Sequence, residues 1–194
     1  NALISIFPGS RKSELDVLTP ILIDFIKLMN EKYKDFTFVF HLTKEYSEFT
    51  QGIIKKNKLN NCEVISDNKI KSHILKKSVF AVSKSGTVSL EICNAKIPSI
   101  ILYKMSIINF FIIKMLVKVQ HANIINIAAK EEIIPELLQS NCSPKKIFEH
   151  VSGFLDNPEK IVAQIKKTQL IINNFKTKNP SSLQAATALN KFLN

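Results

Sequence analysis

The sequence predicts an α/β protein: a parallel sheet covered by helices on both faces, with a helical extension behind it. Three observations carry that prediction. Short apolar runs, β-branched or aromatic and bounded by polar residues, recur at 3–7, 36–42, 62–66, 79–83 and 98–103, as buried strands do. Segments of helical period separate them, and such alternation argues for parallel strands joined by crossover helices. Beyond about residue 104 the pattern turns helical throughout.

The first strand, Leu3-Ile4-Ser5-Ile6-Phe7, runs into the turn Pro8-Gly9-Ser10-Arg11 and then a helix over 12–32, where Thr19-Pro20 marks a candidate kink. Further helices are expected at 44–58, 69–77 and 86–95, between the remaining strands. The extension reads as helices at 106–117, 132–139, 144–155, 158–175 and 181–193. Ser143 is placed to cap the third of these, with Pro144 at its first position. Pro135 reads the same way for 132–139, with Glu136 favourable in the first turn.

The length suits one domain, or one with a small extension, and hydrophobic content of 45% is ordinary for a globular chain. The net charge of +11 invites an acidic partner or an anionic membrane surface. The basic residues are dispersed, however, and no nucleic-acid motif accompanies them, so nucleic acid is not expected. Cys62, Cys93 and Cys142 lie far apart without metal-ligand spacing and read as buried thiols of a reducing compartment. The histidines 41, 73, 121 and 150 form no metal motif, and no metal or cofactor is expected. The chain begins at Asn1 almost inside its first strand, without a signal or transit pattern, which reads as the back half of something longer.

Of 27 basic residues only Arg11 is an arginine. It stands where a strand hands over to a helix, a place whose unpaired N–H groups favour anions, and a guanidinium fork matches a phosphate bidentately. A surface arginine in a turn is the plain alternative. In open parallel sheets ligands bind beyond the strands' carboxyl ends. Those ends are Pro8-Gly9-Ser10-Arg11, Ser83-Lys84-Ser85-Gly86-Thr87 and Tyr103-Lys104. Gly9 and Gly86, two of four glycines, would let backbone approach a ligand. Ser85-Gly86-Thr87 offers hydroxyls and N–H groups for a phosphate. Glu91, a turn further on, suits a ribose diol, or else serves the first turn of its helix. Neither a dinucleotide fingerprint nor a P-loop is present. The apolar stretch 105–119 is too short and interrupted to span a bilayer, and reads as a core helix or an interfacial one.

Taken in order, Pro8-Gly9-Ser10-Arg11 with Glu14, Ser85-Gly86-Thr87 with Leu90-Glu91, Tyr103-Lys104, Asn126, and Pro135-Glu136-Leu137-Leu138-Gln139 resemble the lipid-A-disaccharide synthase family, over nearly the whole chain. Ile125 and Lys130-Glu131 depart from it, standing where the family has Pro and Gly-Arg. The resemblance implies the Rossmann-like C-terminal half of a GT-B glycosyltransferase. Residues 1–175 would form the UDP-sugar-binding domain, and 176–194 a helix packing back toward the other half or a dimer partner. It implies transfer, with inversion and without a metal, from UDP-2,3-diacylglucosamine to a lipid X-type acceptor, 2,3-diacylglucosamine 1-phosphate, on the cytoplasmic face of the inner membrane. A homodimer and a general base in the N-terminal half are also implied. Carried over by residue, Arg11 would stabilise the leaving group. Gly9, Ser10, Glu14, Ser85, Gly86, Thr87, Glu91, Tyr103, Lys104, Asn126, Glu136 and Gln139 would bind UDP with it. Two rivals stand beside this reading: a UDP-N-acetylglucosamine 2-epimerase-like enzyme on the same fold, and a non-catalytic basic module that docks on anionic lipid.

Overall fold

In the computed structural model, residues 1–104 and 121–175 are described, together with the helical positions 182, 186, 187, 189 and 190. Six strands form one sheet there: β1 (Ala2–Phe7), β2 (Phe36–His41), β3 (Cys62–Ile65), β4 (Ser78–Lys84), β5 (Ser99–Tyr103) and β6 (Glu136–Leu138). Every pair is parallel, in the order β3-β2-β1-β4-β5-β6. The connecting helices are α1 (Lys12–Lys32), α2 (Lys44–Lys56), α3 (Asn68–Lys77), α4 (Val88–Asn94), α5 (Ile124–Ala129), α6 (Pro144–Leu155) and α7 (Pro158–Phe175). The five expected strands and the helices between them are present, with ends shifted by one or two residues.

Strand alternation decides which face each side chain meets. Ile4, Ile6, Phe38, Phe40, Phe80 and Val82 point to one face and pack with Leu15, Leu18, Leu22, Phe25 and Ile26 of α1 and Ile147, Val151 and Phe154 of α6. The α1 residues recur every three or four positions, which gives that helix one apolar stripe. Each fully buried aromatic or branched side chain here contributes about 2–3 kcal/mol. The opposite face buries Phe7, Leu75, Ala81, Ile92 and Ile97, then Cys93, Ile101, Ile125, Ile134 and Ile172, under α3, α4, α5 and α7. Pro20 remains inside α1, which continues to Lys32. Ser143 caps α6 by accepting from the Lys146 N–H, with Pro144 at the first position, as the sequence suggests.

One expected helix is absent. The segment 132–139 holds no α-helix: Pro135 precedes the edge strand β6, and Gln139–Asn141 form a 3-10 turn. Pro135 has no N–H to lose, while its carbonyl accepts from the Ile101 N–H at 2.9 Å. A proline at the start of an edge strand satisfies the same signal as one at a helix start. Ile134 and Leu137 are buried in different core clusters, so two-sided packing against β5 outcompetes helical propensity. The short helix α5, unforeseen, is capped by Asn123, whose side chain accepts from the Ile125 N–H at 2.9 Å. It ends at Lys130 with φ 54, a left-handed residue where glycine costs least. The departure from Gly noted at this position therefore carries a conformational cost.

The side-chain amide of Gln164 stitches helix α7 to the sheet. Gln164 accepts from the Ser99 N–H at 2.7 Å and donates to the Ser99 carbonyl at 3.0 Å. The expected helix 106–117, the stretch 105–119 and most of 181–193 lie outside the described residues. Among the described residues no helix is long and apolar enough to cross a membrane.

Candidate functional site

The strand order reverses between β1 and β4: α1, leaving β1, covers one face, and α4, leaving β4, covers the other. Loops that diverge in this way leave a crevice at the carboxyl ends of the strands. A crevice of about 310 Å³ lies there, in the size range of small-ligand sites. Of the residues proposed from sequence, Gly9, Ser10, Glu14, Ser85, Gly86, Thr87 and Glu91 line it, joined by Phe7, His41, Lys71 and Lys84.

The loop after β1 is shaped by Glu14. Its carboxylate accepts from the N–H of Ser10 at 3.0 Å and of Arg11 at 3.4 Å, and binds Lys84 Nζ at 2.9 Å. Arg11 starts the helix without an acceptor of its own, so only the half of a capping box supplied by Glu14 exists. Partial burial acts to raise the Glu14 pKa, but the Lys84 hydrogen bond and the two amides outweigh it and leave it lowered. Gly9 has φ +119, and a Cβ there would lie 2.9 Å from Glu14 Cβ. Glycine is needed at this point twice over, for the backbone angle and for the carboxylate beneath it. The Arg11 guanidinium is 80% exposed, 3.7 Å from Glu14 Oε1, and does not line the crevice. Glu14 thus stands as a built-in anion at the helix start where the sequence suggested a ligand.

Around β4 the geometry is open. A Cβ on Gly86 would meet nothing within 4 Å. The N–H groups of Gly86 and Thr87 make no hydrogen bond among the described residues. Ser85 is turned away, its hydroxyl donating to the Ala122 carbonyl at 3.0 Å. Glu91 reaches across the crevice to Lys71 Nζ at 2.7 Å. His41 forms part of the wall, stacked on Phe7 with ring centroids 4.2 Å apart and planes 14° from parallel. Burial, helped by the Lys71 charge, pushes the His41 pKa down to about 3, so the imidazole is neutral.

The remaining candidates sit apart from this crevice. Asn126 is fully buried: Nδ2 donates to the Ile134 carbonyl and Glu136 Oε1, both at 2.7 Å, and Oδ1 accepts from the N–H of Ile133 and Ile134, both at 2.9 Å. Glu136 also accepts from the N–H of Ala122 at 2.7 Å and Asn123 at 3.0 Å. Together they brace the segment on which Ser85 rests. Lys104 Nζ donates to the Cys142 carbonyl at 3.4 Å, and Gln139 opens the 3-10 turn. Tyr103 presents its ring 6.0 Å from Lys84 Nζ. Sequence reasoning missed Lys84, Lys71 and His41. Lys84 and His41 were findable as the last residues of strands facing the crevice, whereas Lys71 carries no signal among so many lysines.

Comparison with known proteins places this geometry. The family model for lipid-A-disaccharide synthetase matches residues 1–190. The lipid-A-disaccharide synthase of Rickettsia prowazekii is 33% identical over 188 residues, 95% of this chain and 49% of that protein. The chain therefore spans about half the length of the curated relatives it matches. Among solved structures, the C-terminal domain of a glycosyl transferase group 1 family protein, LpcC, from Francisella tularensis shares the fold. Its TM-score is 0.59 at 16% identity, over 89% of this chain and 85% of that one. UDP-GlcNAc 2-epimerase from Neisseria meningitidis bound to UDP-GlcNAc gives a TM-score of 0.61 at 15% identity, over 90% of this chain and 44% of the other. With the ordered loops, the crevice at the reversal of strand order and a match over almost all its length, the chain belongs to the lipid-A-disaccharide synthetase family.

Proposed function

We propose that this chain is the nucleotide-binding half of an inverting glycosyltransferase. It would join UDP-2,3-diacylglucosamine to 2,3-diacylglucosamine 1-phosphate, releasing lipid A disaccharide 1-phosphate and UDP. The observation that carries the reading is the convergence of Gly9, Ser10, Lys84, Gly86, Thr87 and Glu91 on one crevice, in a chain of this family. A diphosphate there meets Lys84 and the open amides of Gly86 and Thr87. Glu91 accepts from ribose hydroxyls once Lys71 is shared with the ligand. Arg11, one residue past the crevice wall and largely unencumbered, turns in to meet charge growing on the leaving UDP. The general base and the acceptor surface belong to the remainder of a longer protein. That protein works as a dimer, peripherally on the cytoplasmic face of the inner membrane, where the net charge of +11 favours anionic lipid. The Neisseria epimerase of the same fold is bound to UDP-GlcNAc, which supports a nucleotide-sugar ligand for this crevice.

Titration of the isotope-labelled chain with UDP tests the reading. Amide shifts are expected at residues 9–11, 84–88 and 91, with smaller ones at 41–43 and 68–71. Shifts gathered on 144–175, or none at millimolar UDP, would sink it.

A further inference from the structure

The charges that line the crevice cancel. Among the described residues the lining holds two cations, Lys71 and Lys84, and each is bound to a carboxylate of the same crevice. Lys71 Nζ lies 2.7 Å from Glu91 and Lys84 Nζ 2.9 Å from Glu14. His41, the other titratable group there, is neutral. In a chain of net charge +11, the surplus therefore lies elsewhere. Glu14 divides its two oxygens between two duties. Its Oε2 accepts from the Ser10 and Arg11 N–H groups, at 3.0 and 3.4 Å, and shapes the loop. Its Oε1 faces the cations, Lys84 Nζ at 2.9 Å and the Arg11 guanidinium at 3.7 Å. Those are the two cations on which a diphosphate in this crevice draws. The Glu14 side chain is 14% exposed and that of Lys84 24%, so water weakens this pair less than it would a surface one, yet leaves the ammonium within a ligand's reach. Lys84 and the two amides also keep Glu14 ionised.

Transfer gives that competition a use. When the bond from sugar to phosphate breaks, its electron pair stays on the diphosphate, so UDP leaves with more negative charge than the sugar nucleotide carried. A crevice with unpaired cations would hold this product more tightly than the substrate. Resting on the nucleotide reading above, we propose that Glu14 limits the affinity of the crevice for UDP: its Oε1 competes with the diphosphate for Lys84, recaptures the ammonium, and so promotes release of the spent nucleotide. Oε2 keeps the loop in shape throughout. Glu14 acts here through Lys84, as a positioning residue, and does not itself touch the nucleotide.

Glu14→Gln separates the two duties. An amide oxygen in the Oε2 place still accepts from Ser10 and Arg11, while the NH2 in the Oε1 place no longer holds Lys84. In calorimetric titration the variant should bind UDP about tenfold more tightly than the wild-type chain, the ratio set by one charge-assisted hydrogen bond. Uridine, which has no phosphate, should bind both alike. In the wild-type chain labelled with carbon-13 at its glutamate carboxyls, the Glu14 resonance should move with UDP and stay in place with uridine, since only the diphosphate draws Lys84 away. Thermal unfolding verifies that the variant is folded; where it is not, the wild-type resonance decides. UDP affinity unchanged or lowered in folded Glu14→Gln, as a role only in shaping the loop or aiming the lysine requires, overturns the inference. So does an equal gain for uridine, or a Glu14 resonance that ignores bound UDP. Failure of wild type and variant alike to bind UDP overturns the nucleotide reading itself.

Discussion

Acid should find His41 before it finds the rest of the fold. In the unfolded chain this histidine takes up a proton near pH 6.5, whereas in the folded chain burial and Lys71 hold its pKa near 3. The unfolded state therefore binds more protons throughout that window. Stability from this group is full above pH 6.5 and drains as the pH falls toward 3. At pH 5 the two values correspond to a loss of ~2 kcal/mol, growing by ~1.4 kcal/mol for each further unit. Carboxylates such as Glu14 and Asp156 also titrate, so the wild-type curve alone does not isolate the effect. His41→Gln removes the titration and keeps a donor toward Ser5. Urea unfolding of both proteins at pH 8 and pH 5 gives the difference directly. The stability gap between them should move by ~2 kcal/mol in favour of the variant at the lower pH. A gap constant to within about 0.5 kcal/mol would mean that His41 takes up its proton as readily in the folded chain as in the unfolded one, and the assignment of a neutral buried imidazole would fail.

Asn126→Ala should lower stability by ~3–5 kcal/mol in chemical denaturation, since it leaves the Ile133 and Ile134 amides and the Ile134 carbonyl without their partner; a loss below about 1 kcal/mol would contradict the bracing role. Arg11→Lys, in the full-length enzyme, should cut turnover roughly a hundredfold while leaving the melting temperature unchanged, because charge is kept and only the fork is lost. Turnover near normal would return Arg11 to the surface. Burial pushes the Cys93 thiol up to about 12 and the Cys142 thiol up to about 11. Both should resist iodoacetamide at pH 8 until urea unfolds the chain, as mass spectrometry of the alkylated protein would reveal.

The strands β1 to β5 were legible because each is a short, mostly apolar run bounded by polar residues or a Pro-Gly turn. β6 was not. Its three residues, Glu136-Leu137-Leu138, are too few to display a period, and what makes them a strand is pairing with Ile101, Leu102 and Tyr103, far away in sequence. α5 hid for a similar reason: six residues barely exceed one turn. Within the site, the loops after β1 and β4 could be picked out because glycine is scarce in this chain and two of four fall there. The inward turn of Glu14 could not be read, since it depends on Lys84 arriving from the neighbouring strand. His41 gains its place from the same adjacency, which sets the end of β2 beside β1. Asn126 and Glu136 stand out as residues in the sequence, but only the coordinates tell that each faces the other.

The amide of Gln164 has a consequence for how the chain can be made and cut. Ser99 begins a strand with neighbours on both sides, and its peptide N–H and carbonyl are both satisfied by a side chain 65 positions downstream. During synthesis water holds those two groups until α7 has emerged, so the start of β5 gains its native partner only once the C-terminal helix is made. A fragment ending before residue 164 keeps every strand yet opens the start of β5 to water and removes the apolar cover that Ile172 gives to Ile101, Ile125 and Ile134. Expression boundaries drawn by counting strands would fall in the wrong place. The smallest fragment expected to hold the crevice in shape runs through α7, to Phe175.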